Sequence, residues 1–200
     1  GALADLGTPE AAQAAKALQA SLLLGQDRTE EGLAFLEEQA RLADGDSVPI
    51  AMLVQTQIRN GKLDEARATL DEALAKAPGD VSLRMISASL AGMQGDLADS
   101  EAQLRALMEE DPSRDMVVRL LYGLLAAQDR DADALAVLDQ GIAAAPGSVQ
   151  LLWLKAGKLE QTGDIDGAIA IYEALYARDS GNTVIANNLA SLISAQKDDA

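Results

Sequence analysis

The sequence predicts an all-α chain of stacked antiparallel helix pairs, and three observations predict it. Pro78, Pro112 and Pro146 stand 34 residues apart, and Gly61, Gly95 and Gly163 keep the same spacing at 34 and then 68 residues. Laid along the chain on that ruler, chosen positions are uniformly small or uniformly large, as one repeated packing unit requires. Ala and Leu dominate a chain with 48% hydrophobic and only 2% aromatic residues, the composition of helices that approach closely through small contact residues.

The ruler divides the chain into units 13–46, 47–80, 81–114, 115–148 and 149–182, with a half unit at 183–200, inside a single domain spanning 1–200. The twentieth position of each unit is small: Gly32, Ala66, Ser100, Ala134 and Ala168. The twenty-fourth is large: Leu36, Leu70, Leu104, Leu138 and Tyr172. Four residues apart they share one helical face, so the small side chain lets a neighbouring helix approach while the large one fills the space beside it. The eighth position is also mostly small (Ala20, Val54, Ala88, Ala156, Ala190), with Tyr122 the exception. Two such segments per unit make each unit helix, turn, helix. Asp27, Gly61, Gly95, Asp129 and Gly163 supply the turn, where a left-handed backbone costs glycine nothing. Acidic residues then gather in the first turn of the second helix, as Glu30 with Glu31 and Asp64 with Glu65, favourably placed against the helix dipole. Proline near position thirty-two ends it. The substitution of QDRDAD for the glycine turn near 129–131 is where a break in phase is expected, if there is one.

GKLDEARATLDEALAKAPGD (61–80) and GDIDGAIAIYEALYARDSGN (163–182) resemble the tetratricopeptide repeat, with its Gly-Asp-aromatic, Ala, Tyr, Ala-Leu and Pro-x-Asn pattern, and the resemblance runs from about residue 9 to 197. It implies a right-handed α-α superhelix of five units plus one C-terminal helix, first helices lining a concave surface and second helices facing outward. Gln19, Ser87 and Lys155 depart from it at position seven, normally Leu, which points to first helices rotated or offset in units one, three and five. The closing NNLASLI (187–193) resembles the first helix of a further repeat in bacterial arrays, including those associated with exopolysaccharide export and sorting.

Charge and composition narrow the function. A formal charge of −16 opposes nucleic-acid phosphates and anionic lipid headgroups, so neither nucleic acid nor a membrane surface is an expected partner. The chain has neither Cys nor His, which removes disulfides, thiolate metal sites and the commonest acid/base residue. No glycine-rich phosphate loop, calcium loop or nucleophile motif is present, and the carboxylates fall mainly on helix starts and outer faces, so neither catalysis, cofactor nor metal is expected. No apolar run approaches transmembrane length and residues 1–20 lack a signal pattern, which leaves cytoplasm and periplasm equally open. Gly1 in place of an initiator Met is consistent with a processed or excised form of a longer array.

A single helix pair cannot bury its apolar face, so pairs stack and leave a surface for another protein. The resemblance places positions two, five, nine, twelve and thirteen of each first helix on the inner face, and of those thirty residues only Arg59, Arg119 and Glu160 are charged. The expected function is therefore a non-catalytic protein-protein interaction scaffold with a near-neutral groove for a peptide or helix. Its candidate residues are Val48, Gln55, Met85, Met93, Met116, Arg119, Gln150, Trp153 and Asn187. The methionines suit an adaptable apolar contact, and equally suit packing between helices. Trp153 faces the groove on the strict frame; a one-residue offset would instead make it, with Gly157, the buried pair of the family, and that is the role expected of it. Ala17 and Ser21 stand where a carboxylate clamp would need basic and Asn residues, so a chaperone-tail receptor is not expected. The alternative function is a self-assembling structural array, a homodimer docking through Val184, Leu189, Leu192 and Ile193 of the final helix, whose apolar residues cannot all face unit five.

Overall fold

A computed structural model describes residues 9–26, 28–43 and 46–198. They form eleven helices: α1 (Pro9–Gly25), α2 (Thr29–Arg41), α3 (Ser47–Arg59), α4 (Leu63–Lys76), α5 (Val81–Met93), α6 (Leu97–Glu110), α7 (Asp115–Ala126), α8 (Asp131–Ala144), α9 (Val149–Thr162), α10 (Ile165–Arg178) and α11 (Thr183–Asp198). No strand occurs among the described residues. From α3 onward the first helices begin at 47, 81, 115, 149 and 183, and the second helices begin at 29, 63, 97, 131 and 165. Both ladders keep the 34-residue step without a slip. No break occurs near 129–131, where one would have weakened the strict ruler, and Gln19, Ser87 and Lys155 sit on helices in phase with the rest.

The turns show why the phase survives. Gly61, Gly95 and Gly163 have φ of 73°, 88° and 87°, the left-handed region that lets the chain reverse within three residues. In unit four Asp129 adopts the same turn at φ 57°. Aspartate tolerates that region better than most residues but not at zero cost. Asp129→Gly is accordingly expected to stabilise the protein by about 0.5–1 kcal/mol, read as a higher urea midpoint at unchanged slope. An unchanged or lower midpoint would show that the aspartate side chain contributes more than its backbone costs. At the other junction, α4, α6 and α8 end two residues before Pro78, Pro112 and Pro146. The position-34 side chains of Asp46, Asp80, Ser148 and Asn182 then accept backbone N–H bonds from the first turn of α3, α5, α9 and α11. Each satisfies a donor that would otherwise lack an intrahelical partner.

The chain resolves into two compact units, Gly1–Asp96 and Leu97–Ala200. In the first, α1 packs on α2, α2 on α3, α3 on α4 and α4 on α5, while the first helices α3 and α5 also touch. In the second, α6 packs on α7, α7 on α8, α8 on α9, α9 on α10 and α10 on α11, with α7 against α9.

Each unit contains the same core. In the first it is Val54, Ala66, Leu70, Ala73, Leu83 and Leu90; in the second it is Ala156, Ala168, Tyr172, Leu175, Ile185 and Leu192. Every member of the second set lies 102 residues, three repeats, beyond its counterpart in the first. The cluster therefore consists of positions eight, twenty, twenty-four and twenty-seven of one repeat closed by positions three and ten of the next. The small and large columns are buried throughout, from Gly32, Ala66, Ser100, Ala134 and Ala168 to Leu36, Leu70, Leu104, Leu138 and Tyr172.

Three polar residues of the first helices are accommodated by side-chain partners. Lys158, at position ten, is buried with its stem in the apolar layer. Its ammonium pairs with Asp131, the first residue of α8, and donates to Gln161 Oε1 at 3.0 Å. Ser87 and Lys155 fill position seven by bonding backward: Arg67 of α4 donates to Ser87 Oγ, and Lys155 donates to Asp139 of α8. Arg130 similarly reaches Glu101 of α6, and holds that carboxylate below its ordinary pKa range by hydrogen bonding.

Candidate partner-binding face

The first helices present one side to the layer between repeats and the other to solvent. Position two is exposed in every described repeat from α3 onward: Val48 and Met116 at 49%, Val184 at 56%, and also Ser82 and Gln150. Position thirteen is exposed as well, at Arg59, Met93, Ala127, Gln161 and Ala195, with Met93 the most open at 61%. At position nine Gln55, Gly123, Gly157 and Ser191 are exposed and Ser89 is half-buried. A Cβ added at Gly123 or Gly157 would meet nothing within 4 Å, so both glycines are depressions open to solvent rather than packing contacts. Gln55, Gln150, Asn187 and Arg119 all lie on this open side.

The methionines divide. Met93 and Met116 are exposed, whereas Met85 is half-buried beside Ile86, which packs on the first core. Met93 belongs to the first unit and Met116 to the second, so each unit offers an exposed methionine of its own. Trp153 is half-buried against the second core, its ring edge-on to Tyr172 with centroids 5.4 Å apart and planes at 72°. It reaches this position on the strict frame: α9 starts in phase and Gly157 is exposed, so no one-residue offset operates.

Charge is sorted between the two helix sets. Within their bounds α3, α5 and α9 each carry one net positive charge and α1, α7 and α11 none, whereas α2, α6 and α8 carry −3, α4 −2 and α10 −1. The acidity of the chain thus resides on the second helices and the turns. On the first helices Arg59, Arg119 and Glu160 are the exposed charges among the inner positions, and Arg59 Nε donates to its own helix at Gln55 O. No cluster of three or more acidic residues suited to a metal occurs among the described residues, and no described helix is long and apolar enough to cross a membrane.

The expected self-association set also divides. Leu192 is 8% exposed and closes the second core at position ten, so it is a packing residue. Val184 belongs to the open column at position two that the first helices share from α3 onward. Leu189 and Ile193 are half-buried at the edge of α11. Ala190 is exposed where the equivalent Val54, Ala88 and Ala156 are fully buried.

A chain of in-phase helix pairs sharing one repeated core defines a helical-repeat protein. Two tetratricopeptide repeat family models match it, over residues 23–90 and 119–183, and the chain belongs to the tetratricopeptide repeat family. Solved structures show the same fold. A tetratricopeptide repeat protein from Parabacteroides merdae is 17% identical, with a TM-score of 0.61 over 88% of this chain and 70% of its own. The thermophilic protein TTC0263 of Thermus thermophilus is also 17% identical, with a TM-score of 0.60 over 88% and 95%. BtubC from P. vanneervenii is 16% identical, with a TM-score of 0.63 over 85% of each chain. No curated protein matches the sequence.

Proposed function

We propose that this protein is a non-catalytic scaffold whose first-helix faces hold an uncharged, apolar or amphipathic segment of a partner protein. Proteins of this family generally mediate protein-protein interaction. The observation that carries the finer reading is the sorting of charge: first helices that are neutral or weakly positive, with exposed Val48, Met93, Met116 and Val184, in a chain of net charge −16. An acidic exterior repels acidic macromolecules, while a neutral face costs little to desolvate. Methionine adapts its shape to an apolar partner, and Gly123 and Gly157 leave room for one to approach the backbone. The NNLASLI stretch of α11 supports a bacterial envelope or exopolysaccharide assembly as the setting.

A photo-crosslinking residue placed at Met93 or Met116 is expected to capture the partner from lysate of the source organism, and one placed at exposed Glu72 of α4 is not. With the captured partner in hand, Met116→Glu is expected to weaken binding at least tenfold, about 1.4 kcal/mol, with the melting temperature unchanged because the side chain is half exposed already. Capture at Glu72 in place of the methionines would place the contact on the second helices and overturn this reading.

A further inference from the structure

Asn60 and Gly61 form the only Asn-Gly pair in the chain. Both are exposed at the turn between α3 and α4, where the other repeats place Gln26, Gln94, Gln128 and Thr162 before the turn residue. The peptide nitrogen that follows an asparagine can attack the side-chain amide, and on a glycine, with no Cβ beside it, that nitrogen is least hindered. Asn182, Asn187 and Asn188 are followed instead by Thr183, Asn188 and Leu189. A glutamine in the same place would have to close a six-membered ring, which forms far more slowly.

The folded turn opposes this reaction. Closing a flat five-membered ring needs Gly61 N eclipsed with Asn60 Cβ about the Cα–C bond, but at ψ 11° it lies nearly eclipsed with Asn60 N, turned away from Cγ. The Asn60 carboxamide is tied down as well, its Nδ2 donating to Thr56 O at 2.8 Å. The attacking nitrogen keeps its proton in a bond to Ile58 O at 3.0 Å, and Lys62 N donates to Gln57 O at 2.9 Å. Opening the turn releases all of these together.

We infer that Asn60 is a site of spontaneous deamidation that the folded turn suppresses, so that the modification records opening of the second repeat. In the open turn Gly61 N loses its proton and bonds to Asn60 Cγ, while the Cγ–Nδ2 bond breaks and the nitrogen leaves as ammonia. Water then opens the cyclic imide. Cleavage between Gly61 N and Cγ gives aspartate; cleavage between Gly61 N and the original Asn60 carbonyl carbon gives isoaspartate, whose main chain runs through Cβ and Cγ. Either product sets a carboxylate at the C-terminal end of α3, where the helix dipole disfavours it, beside Arg59, the one cation of that helix. The bond from Nδ2 to Thr56 O is lost. Isoaspartate also lengthens the turn on which the packing of Val54 with Ala66 and Leu70 depends. The modified turn closes less well than the original.

Incubation of the full chain in mildly alkaline buffer tests this, native and in guanidinium chloride above the unfolding midpoint. Peptide mass spectrometry follows each asparagine, and a methyltransferase specific for isoaspartate labels that product. In the denatured chain Asn60 is expected to react well ahead of Asn182, Asn187 and Asn188. In the native chain its rate is expected to be at least about tenfold lower. Leu70→Ala, which loosens the core over this turn, is expected to raise the native rate. Asn60→Gln is expected to fold as wild type, since Gln94 and Gln128 hold this position, and to leave the turn peptide unmodified. Equal rates at Asn60 in the native and denatured chains overturn the inference. So does another asparagine reacting as fast as Asn60 in the denatured chain, or a native rate unchanged by Leu70→Ala.

Discussion

Tyr172→Ala is expected to destabilise the C-terminal repeats by about 3–5 kcal/mol, the range for removing a buried aromatic ring. Tyr172 is 2% exposed and stands at the centre of the second core, among Ala156, Ala168, Leu175, Ile185 and Leu192. Its ring meets Trp153 edge-on, and Asn188 Nδ2 approaches its hydroxyl at 3.4 Å. Alanine would leave a cavity bounded by three helices, α9, α10 and α11, none of which can close it without losing contact elsewhere. Tyr172→Leu is the informative control, because Leu36, Leu70, Leu104 and Leu138 occupy this column in the other repeats. It keeps most of the apolar volume and is expected to cost only about 1 kcal/mol. Trp153 is the sole tryptophan, so its fluorescence reports this region directly during urea unfolding. Repeat arrays are held by nearest-neighbour interfaces, so the fluorescence transition is expected to move to lower urea ahead of the circular dichroism transition. A Tyr172→Ala protein whose fluorescence midpoint matches wild type would show that the ring is not part of the core.

The phase and the packing columns were legible because small-large pairs at fixed spacing have one physical meaning when they recur. A glycine or aspartate turn, a proline stop and a four-residue step between Ala66 and Leu70 each specify the same helix pair. Positions three, ten and twenty-seven were harder to see, although they supply half of each core. Their residues vary, from Thr56 and Leu90 to Lys158 at position ten and from Ala73 to Leu107 and Gly141 at position twenty-seven. Variation of that kind hides a column from a comparison of repeats, because each pocket is shaped by its neighbours. Lys158 is polar by sequence and buried in the structure only because Asp131 stands within reach on the preceding helix.

Legibility of the surface followed the same rule. Which first-helix positions face outward depends on the helix phase alone, and position two is exposed at Val48, Met116 and Val184 alike. Met85 and Trp153 are less open because inward-facing positions at the middle of a helix are shared between a partner surface and the packing layer. The sequence pattern at position seven suggested rotated helices where the structure has polar bonds instead, Ser87 to Arg67 and Lys155 to Asp139. A missing apolar residue carries no information about rotation when a polar partner lies on the adjacent helix.

Position twenty-seven yields the second large effect. Leu107 and Leu175 hold it in two repeats, so a comparison of repeats recommends Gly141→Leu as a stabilising change in a helix interior. The structure reverses that recommendation. A Cβ at Gly141 would lie 2.8 Å from both methyls of Val118 and 3.0 Å from Leu151 Cδ1, where α7, α8 and α9 converge. Val118 is fully buried and β-branched, so with both methyls in the way no rotation of its side chain clears the space. Gly141→Leu is expected to cost on the order of 3 kcal/mol, the upper range for overfilling a packed core, despite the helix propensity it gains. Val118→Ala alone should also destabilise, by about 1–3 kcal/mol, through the space it empties. Combined, the two changes should offset one another, with a coupling of at least 1 kcal/mol in a double-mutant cycle measured by urea unfolding. Gly157→Ala supplies the opposite sign: its site is open and helical, so it should gain about 0.5–1 kcal/mol. Additive effects at 118 and 141 would mean that the glycine is not held small by the valine, and that the helices at this junction can separate without loss.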